Sequence, residues 1–259
     1  MKAPKFVILL IAIALLLIVN LLIGTVKIPI ADVCRILGGG GDNEIWTNII
    51  FSSRLPQALT AIVAGAGLAV SGLQMQTVFR NPLAGPSVLG ISNGSALGVA
   101  FVVWGLGSFS RVSGDEMVLF IVLMCILLPL AFLLVKPLNL MLLGDNYAAN
   151  LGLNIKRARM LIIISSGVLV AIVTAYCGPI MFIGLAVPHL ARAIFRTSDH
   201  RLLMPATALC GAALALLCNL IARMPGFEGA LPVNSVTALV GAPVIAMVIF
   251  RRRKHDFAE

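Results

Sequence analysis

The chain has 259 residues, 60% of them hydrophobic and only 11% charged, with a formal net charge of +9. That balance excludes a water-soluble globular domain, and no polar stretch is long enough to be a separate soluble domain. The excess of Lys and Arg does not call for nucleic acid as a partner, because cytoplasmic loops of membrane proteins collect basic residues in the same way.

Eight apolar segments follow one another, at 6–24, 57–79, 86–103, 118–135, 160–176, 178–195, 203–221 and 233–250. They hold 150 residues, and Arg192 is the only Lys, Arg, Asp or Glu among them. About 20 apolar residues match the hydrocarbon thickness of a bilayer. Backbone amides in lipid must pair internally, so such segments are helices. The expected fold is all-α: a polytopic transmembrane bundle of about eight spans, with residues 1–259 forming a single membrane-embedded domain.

With the N-terminus inside and one crossing per segment, 14 basic residues fall inside and 5 outside, so both termini are expected in the cytoplasm. The Arg251–Lys254 run is then a stop-transfer flank. The first segment has a basic start but no small-x-small cleavage site behind it, so it reads as an uncleaved span.

Between the first two spans, Ile28-Pro-Ile-Ala-Asp predicts a short interfacial helix, and Pro56 suits the first turn of the second span. That span carries Gly65, Gly67, Ala69, Ser71 and Gly72, small residues that let backbones approach closely. Gln74 and Gln76 at its end suit either inter-helix hydrogen bonds or a water-filled path. Asn81-Pro-Leu-Ala-Gly-Pro predicts a rigid inside turn. Ser92 and Asn93 make the next span polar, as in broken helices along transport paths or in ordinary helix packing.

Residues 136–159 form the longest cytoplasmic loop. Within it Gly144-Asp-Asn-Tyr-Ala-Ala-Asn-Leu-Gly152 predicts a short amphipathic helix between two glycine stops, or else an idle connection. Further on, Pro188 frees a carbonyl inside its helix, and His189 and Arg192 share a face. An intramembrane ionisable group is a functional hypothesis by default. Arg192 lies near the cytoplasmic end, where it can snorkel, and the structural reading is preferred for both. The five cysteines, Cys34, Cys125, Cys177, Cys210 and Cys218, make no Cys-x-x-Cys pair and read as small buried residues rather than a metal site.

No P-loop occurs, and no lysine follows a glycine, so this chain does not cradle a nucleotide. There is no His-Glu-x-x-His, no Gly-x-Ser-x-Gly and no carboxylate within a span. These absences argue against an enzyme and against ion-coupled transport. Any energy input must come from another subunit.

The ordered set of motifs resembles the FecCD-type permeases, membrane subunits of ABC importers for iron-siderophores, haem and cobalamin. It runs from Arg54-Leu-Pro through Gly65–Gly72, Gln76, Asn81-Pro-Leu-Ala-Gly-Pro and Leu89-Gly-Ile-Ser-Asn-Gly94. It continues with Trp104–Ser108, Leu143-Gly-Asp145, Leu151-Gly152 and Gly178-Pro-Ile. Phe182–His189 with Arg192, Leu231-Pro-Val and Thr237–Pro243 complete it. The resemblance implies a permease of a bacterial inner-membrane importer, paired with itself or a second permease. Two cytoplasmic ATPase subunits use the ATP, and an extracytoplasmic substrate-binding protein delivers cargo. No cofactor is expected on this chain.

Residue by residue, the resemblance implies that Gly144, Asp145, Ala148, Leu151 and Gly152 form the ATPase-coupling element. Arg54 and Arg223 match outer-face arginines that meet the binding protein, although Gln57 stands where a second family arginine is usual. Gln76, Asn81, Pro82, Ser92, Asn93, His189 and Arg192 are candidates for the path or gate. The family has ten spans against eight here. The fourth and fifth are the missing ones, with a seam near Phe101–Val103. Three further readings are a shortened relative that assembles without transporting, an ion-driven secondary transporter, and an intramembrane enzyme, which lacks any catalytic constellation.

Overall fold

In a computed structural model of the chain, the described residues are 3–24, 26–40, 43–85, 107–109, 112, 114–224 and 232–243. They form helices α1 (Ala3–Leu22), α2 (Ile30–Leu37), α3 (Glu44–Ile49) and α4 (Leu55–Val78). These are followed by α5 (Gly114–Phe132), α6 (Val135–Leu142), α7 (Asp145–Asn150), α8 (Ile155–Cys177), α9 (Phe182–Phe195) and α10 (His200–Ala222). A last helix, α11, covers 233–243. Among the described residues there is no strand.

Among the described residues four helical stretches are long and apolar enough to cross a membrane: α1, the stretch Glu44–Val78, α8 and α10. Helices α5 and α6 qualify together as a broken span, bent by 42°, and α9 is a shorter apolar helix. The span expected at 86–103 lies outside the described residues, and the one at 233–250 is described only to 243.

The second span does not begin at Pro56 as the sequence suggests. Helix continues through it from Glu44, by way of a π-helical turn at Ile50–Arg54. Pro56 cannot donate to the carbonyl four residues back, and its ring crowds that position. The wider turn, in which the Leu55 N–H bonds Ile50 O, carries the chain past it.

Helix α4 is the axis of the bundle, buried at every position from Ala64 to Val78 and packed against α10, α8, α9 and α5. Lipid tails are as apolar as leucine, so helix association here rests on close packing. Gly65 and Gly211 bring α4 and α10 into backbone contact: a Cβ on either would lie 2.3 Å from the other's carbonyl oxygen. Gly72 meets α9 more closely still, where a Cβ would lie 1.7 Å from Gly184 O. Gly184 is four residues before Pro188, so its carbonyl is the one that the proline leaves without a helical donor. Ser71 and Ser166 hydroxyls, 2.6 Å apart, join α4 to α8 in the buried core.

Helix α1 lies at the rim, with Val7, Ile8, Leu10, Ile11, Leu15 and Ile18 exposed as a lipid-facing surface. It is fixed at both ends. Lys5 Nζ donates to Ile194 O at the end of α9, and Phe6 packs on Phe195 with ring centroids 4.7 Å apart. At the other end buried Asn20 accepts from Asn219 Nδ2 at 2.9 Å and donates to Leu216 O at 3.1 Å.

The loop expected at 136–159 is largely helical. Pro137 sits in the first turn of α6, where no N–H is needed, so Lys136-Pro137 starts a helix rather than breaking one. Likewise Gly178-Pro179 precedes α9, which begins at Phe182. Cys177, Cys210 and Cys218 are buried in the core, while Cys34 and Cys125 are exposed.

Candidate functional site: a polar layer at one end of the bundle

Helix α4 ends in a Schellman motif. Arg80 N bonds Thr77 O at 3.3 Å and Asn81 N bonds Gln76 O at 3.2 Å. The left-handed position is filled by Arg80, at φ 47°, rather than by glycine. The chain then turns through Asn81, whose Oδ1 accepts from Leu83 N at 2.9 Å.

Five of the seven path candidates meet around this turn. Gln76 Nε2 donates to Leu185 O at 3.1 Å, and its Oε1 accepts from Arg192 Nη1 at 2.7 Å. Leu185 lies in the turn of α9 that Pro188 opens. His189 Nε2 donates to Pro82 O at 2.5 Å, so the proton is on Nε2. Gln76, Asn81, Pro82, His189 and Arg192 thus knit α4 and its following turn to α9. Ser92 and Asn93 lie outside the described residues.

The stretch 144–152 is a helix between two glycines. Gly144 (φ 105°) precedes α7 and Gly152 (φ 84°) follows it, both in backbone conformations that glycine adopts freely. Leu153 N to Ala148 O (3.0 Å) and Gly152 N to Ala149 O (2.9 Å) close a second Schellman motif. Asn154 then caps α8, accepting from Arg157 N at 3.1 Å. Ala148 is fully buried and anchors the helix, while Tyr147 and Leu151 are 65% and 56% exposed. With exposed Leu142 and Leu143 they form an apolar outward face. Asp145 is held from behind, by Arg80 at 2.7 Å and Arg159 at 3.2 Å.

Sequence reasoning missed a second cluster beside these. Asn139 of α6 and Asp199-His200 at the start of α10 hydrogen-bond to one another, and His200 reaches Thr77 of α4. Asp199 also caps α10 through Arg201 N at 3.0 Å. That backbone bond, then the Asn139 amide, hold its carboxyl below the usual carboxylate range. Asp199, three residues ahead of the apolar run that starts at Leu202, is a helix-start signal that the sequence did offer.

Arg54 and Arg223 sit together at the opposite ends of α4 and α10. Arg54 is only 1% exposed. Its Nη1 donates to Leu21 O (2.6 Å) and Leu22 O (3.0 Å), and its Nη2 to Val26 O. It therefore satisfies the open carbonyls at the end of α1 rather than standing free as a surface cation. Arg223 Nη1 is buried without a hydrogen-bond partner among the described residues. Burial, then the nearby Arg54 guanidinium, lower the Arg223 pKa.

This arrangement is a helical membrane bundle with a short exposed helix at one end, and a model of the FecCD transport family matches residues 10–104 and 100–251. The chain belongs to the FecCD transport family. It is similar to the hemin transport system permease protein HmuU of Yersinia pestis, 32% identical over 288 residues, covering 82% of this chain and 85% of that one. The vitamin B12 import system permease protein BtuC of Citrobacter koseri is 30% identical over 277 residues, covering 79% and 84%. A solved structure described as an inward-facing conformation of a metal-chelate type ABC transporter matches with TM-score 0.79 and 27% identity, covering 95% of this chain and 99% of that one. As a member of this family the chain is a multi-pass membrane permease of the ABC importer type. The alignment to HmuU is longer than the 259 residues of this chain, so the family pattern contains residues that this chain lacks. The two matched stretches meet at 100–104, where the sequence motifs place the missing spans.

Proposed function

We propose that this chain is the membrane subunit of an ATP-driven importer that moves a ferric siderophore, haem or a related metal-chelate cofactor into the cytoplasm. The family match over nearly the whole chain carries this reading, and the hemin, vitamin B12 and ferric dicitrate permeases among its relatives give the cargo class. Residues 1–259 act as one membrane domain in a bacterial inner membrane, with both termini in the cytoplasm. It works as a pair, with itself or a second permease, with two ATPase subunits that use the ATP and with a binding protein outside.

The α7 helix is the ATPase dock. Its glycine stops fix the ends, Ala148 roots it, and Tyr147 and Leu151 face the partner. ATP closure moves α7, and the permease switches its open side. Gln76, Asn81, Pro82, His189 and Arg192 belong to the inner end of the path, with Gln76–Arg192 as its described polar tie, and Ser92 and Asn93 are path or gate residues too. Arg223, next to the end of α10, offers the outer-face cation for an acidic patch on the binding protein, and Arg54 is the buried strut behind it.

The test is reconstitution of the complex in proteoliposomes with hemin, a ferric siderophore and cobalamin as separate probes. ATP-dependent uptake of one of them is expected. Bound ATPase without uptake of any probe would identify a shortened, transport-incompetent relative. Uptake driven by a proton gradient without ATP would overturn the reading.

A further inference from the structure

The cluster at Asn139 and His200 belongs to neither the path nor the docking face, and it joins three helices. Asn139 Oδ1 accepts from the His200 backbone N–H and from Nδ1, each at 2.8 Å. Its Nδ2 donates to Asp199 Oδ1 at 2.7 Å. These bonds fix the amide orientation and place the imidazole proton on Nδ1. Nε2 lies 2.8 Å from the Thr77 hydroxyl, which is also 2.9 Å from Leu73 O and shares its one proton between these two acceptors. A side chain of α6 thus caps the first N–H of α10, and the same histidine holds the last turn of α4. His200 is 1% and Thr77 5% exposed, so water does not compete for the bond between them.

The location gives the cluster its meaning. Helix α7 has six residues, too few to hold itself, and only Leu143-Gly144 link it to α6. On its membrane side α6 departs from α5 at a 42° bend. A displacement of α7 passed along the chain would be absorbed at that bend. The Asn139 bonds bypass it and deliver the displacement to α4 and α10. Arg80 supports the same path, reaching both Met141 O (3.4 Å) and Asp145 (2.7 Å) from the end of α4.

We propose that Asn139, His200 and Thr77 are positioning residues that make α6 and α7 one rigid body with the adjoining ends of α4 and α10. This rests on the reading of α7 as the ATPase dock. The three residues touch neither cargo nor nucleotide, and they act by carrying motion between the dock and the bundle.

The test places spin labels at Asn150→Cys and Arg201→Cys in the full chain with Cys34 and Cys125 as serine. The distance is measured in lipid nanodiscs with the co-expressed ATPase, before and after trapping with ATP and vanadate. With the joint intact, one narrow distance unchanged by ATP is expected. Asn139→Leu should broaden it and let ATP shift it by on the order of one helical turn, about 5 Å. Exchanging the partners, Asn139→Asp with Asp199→Asn, keeps an acceptor for His200 and an amide–carboxylate bond of reversed direction, and should retain the narrow, ATP-invariant distance; a general sensitivity of the site to substitution would not allow that. An ATP-induced shift in the otherwise native chain with ATPase bound would overturn the proposal, and this needs no variant to fold. A narrow, invariant distance in Asn139→Leu would also overturn it. If no ATPase elutes with the native chain, the docking reading fails instead and takes the joint with it.

Discussion

Arg80 and Asp145 meet at 2.7 Å, tying the end of the central helix α4 to the first turn of α7. Both side chains are about half exposed, so the pair adds only about 0–1 kcal/mol of stability. Its backbone argues that position, not stability, is the purpose. Arg80 occupies a left-handed cap that glycine would fill without strain. We therefore expect Arg80→Gly to change thermal stability by less than ~1 kcal/mol, because relieved strain offsets the lost pair. The same variant should lower ATP turnover by the assembled complex. Unchanged turnover, measured beside a melting curve, would remove the positional role.

The α4 crossings make a sharper stability prediction. Gly72→Ala puts a methyl group 1.7 Å from the Gly184 carbonyl, and Gly65→Ala puts one 2.3 Å from Gly211 O. Neither backbone can yield without moving a helix. Each should cost about 3 kcal/mol or more, with Gly72→Ala the worse. Thermal unfolding monitored by size-exclusion chromatography in detergent gives the order.

Asn20 and Asn219 form the buried clasp between α1 and α10. Asn219→Leu leaves Asn20 Oδ1 without its donor and should lower stability by about 1 kcal/mol. The double change Asn20→Leu with Asn219→Leu should recover part of that loss, since no amide is then left unpaired. A double-mutant cycle on melting temperature measures the coupling.

Asp199 sets a pH dependence. Its carboxyl is held below the unfolded value of 3.8 by Arg201 N and the Asn139 amide. A depressed carboxylate contributes stability above the unfolded pKa and loses it as pH falls through the folded one. Stability should therefore drop below about pH 4, and Asp199→Asn should flatten that part of the profile. Melting temperatures between pH 3 and 6 would show it.

The described apolar helices and the α7 helix were legible because their signals are local. An apolar run declares a membrane helix, and Gly144 and Gly152 declare where a short helix stops. Helix α6 was missed because Lys136-Pro137 reads as loop, although a first-turn proline costs a helix nothing. The joint was illegible for another reason. Asn139 and His200 are 61 residues apart and Thr77 lies 123 before His200, so no window of sequence contains the pair. Arg54 shows the same limit. Its charge was visible, but its inward turn onto the last carbonyls of α1 depends on where α1 packs.

The most direct test of the central claim is retention of an ABC-type ATPase subunit by this permease in lipid. Co-expressed ATPase should elute with the full chain and hydrolyse ATP there. Replacing residues 145–150 by a glycine-serine stretch should abolish retention while the permease still elutes as a folded peak. Retention unaffected by that replacement, or accessibility of Tyr147 from outside intact cells, would contradict the account.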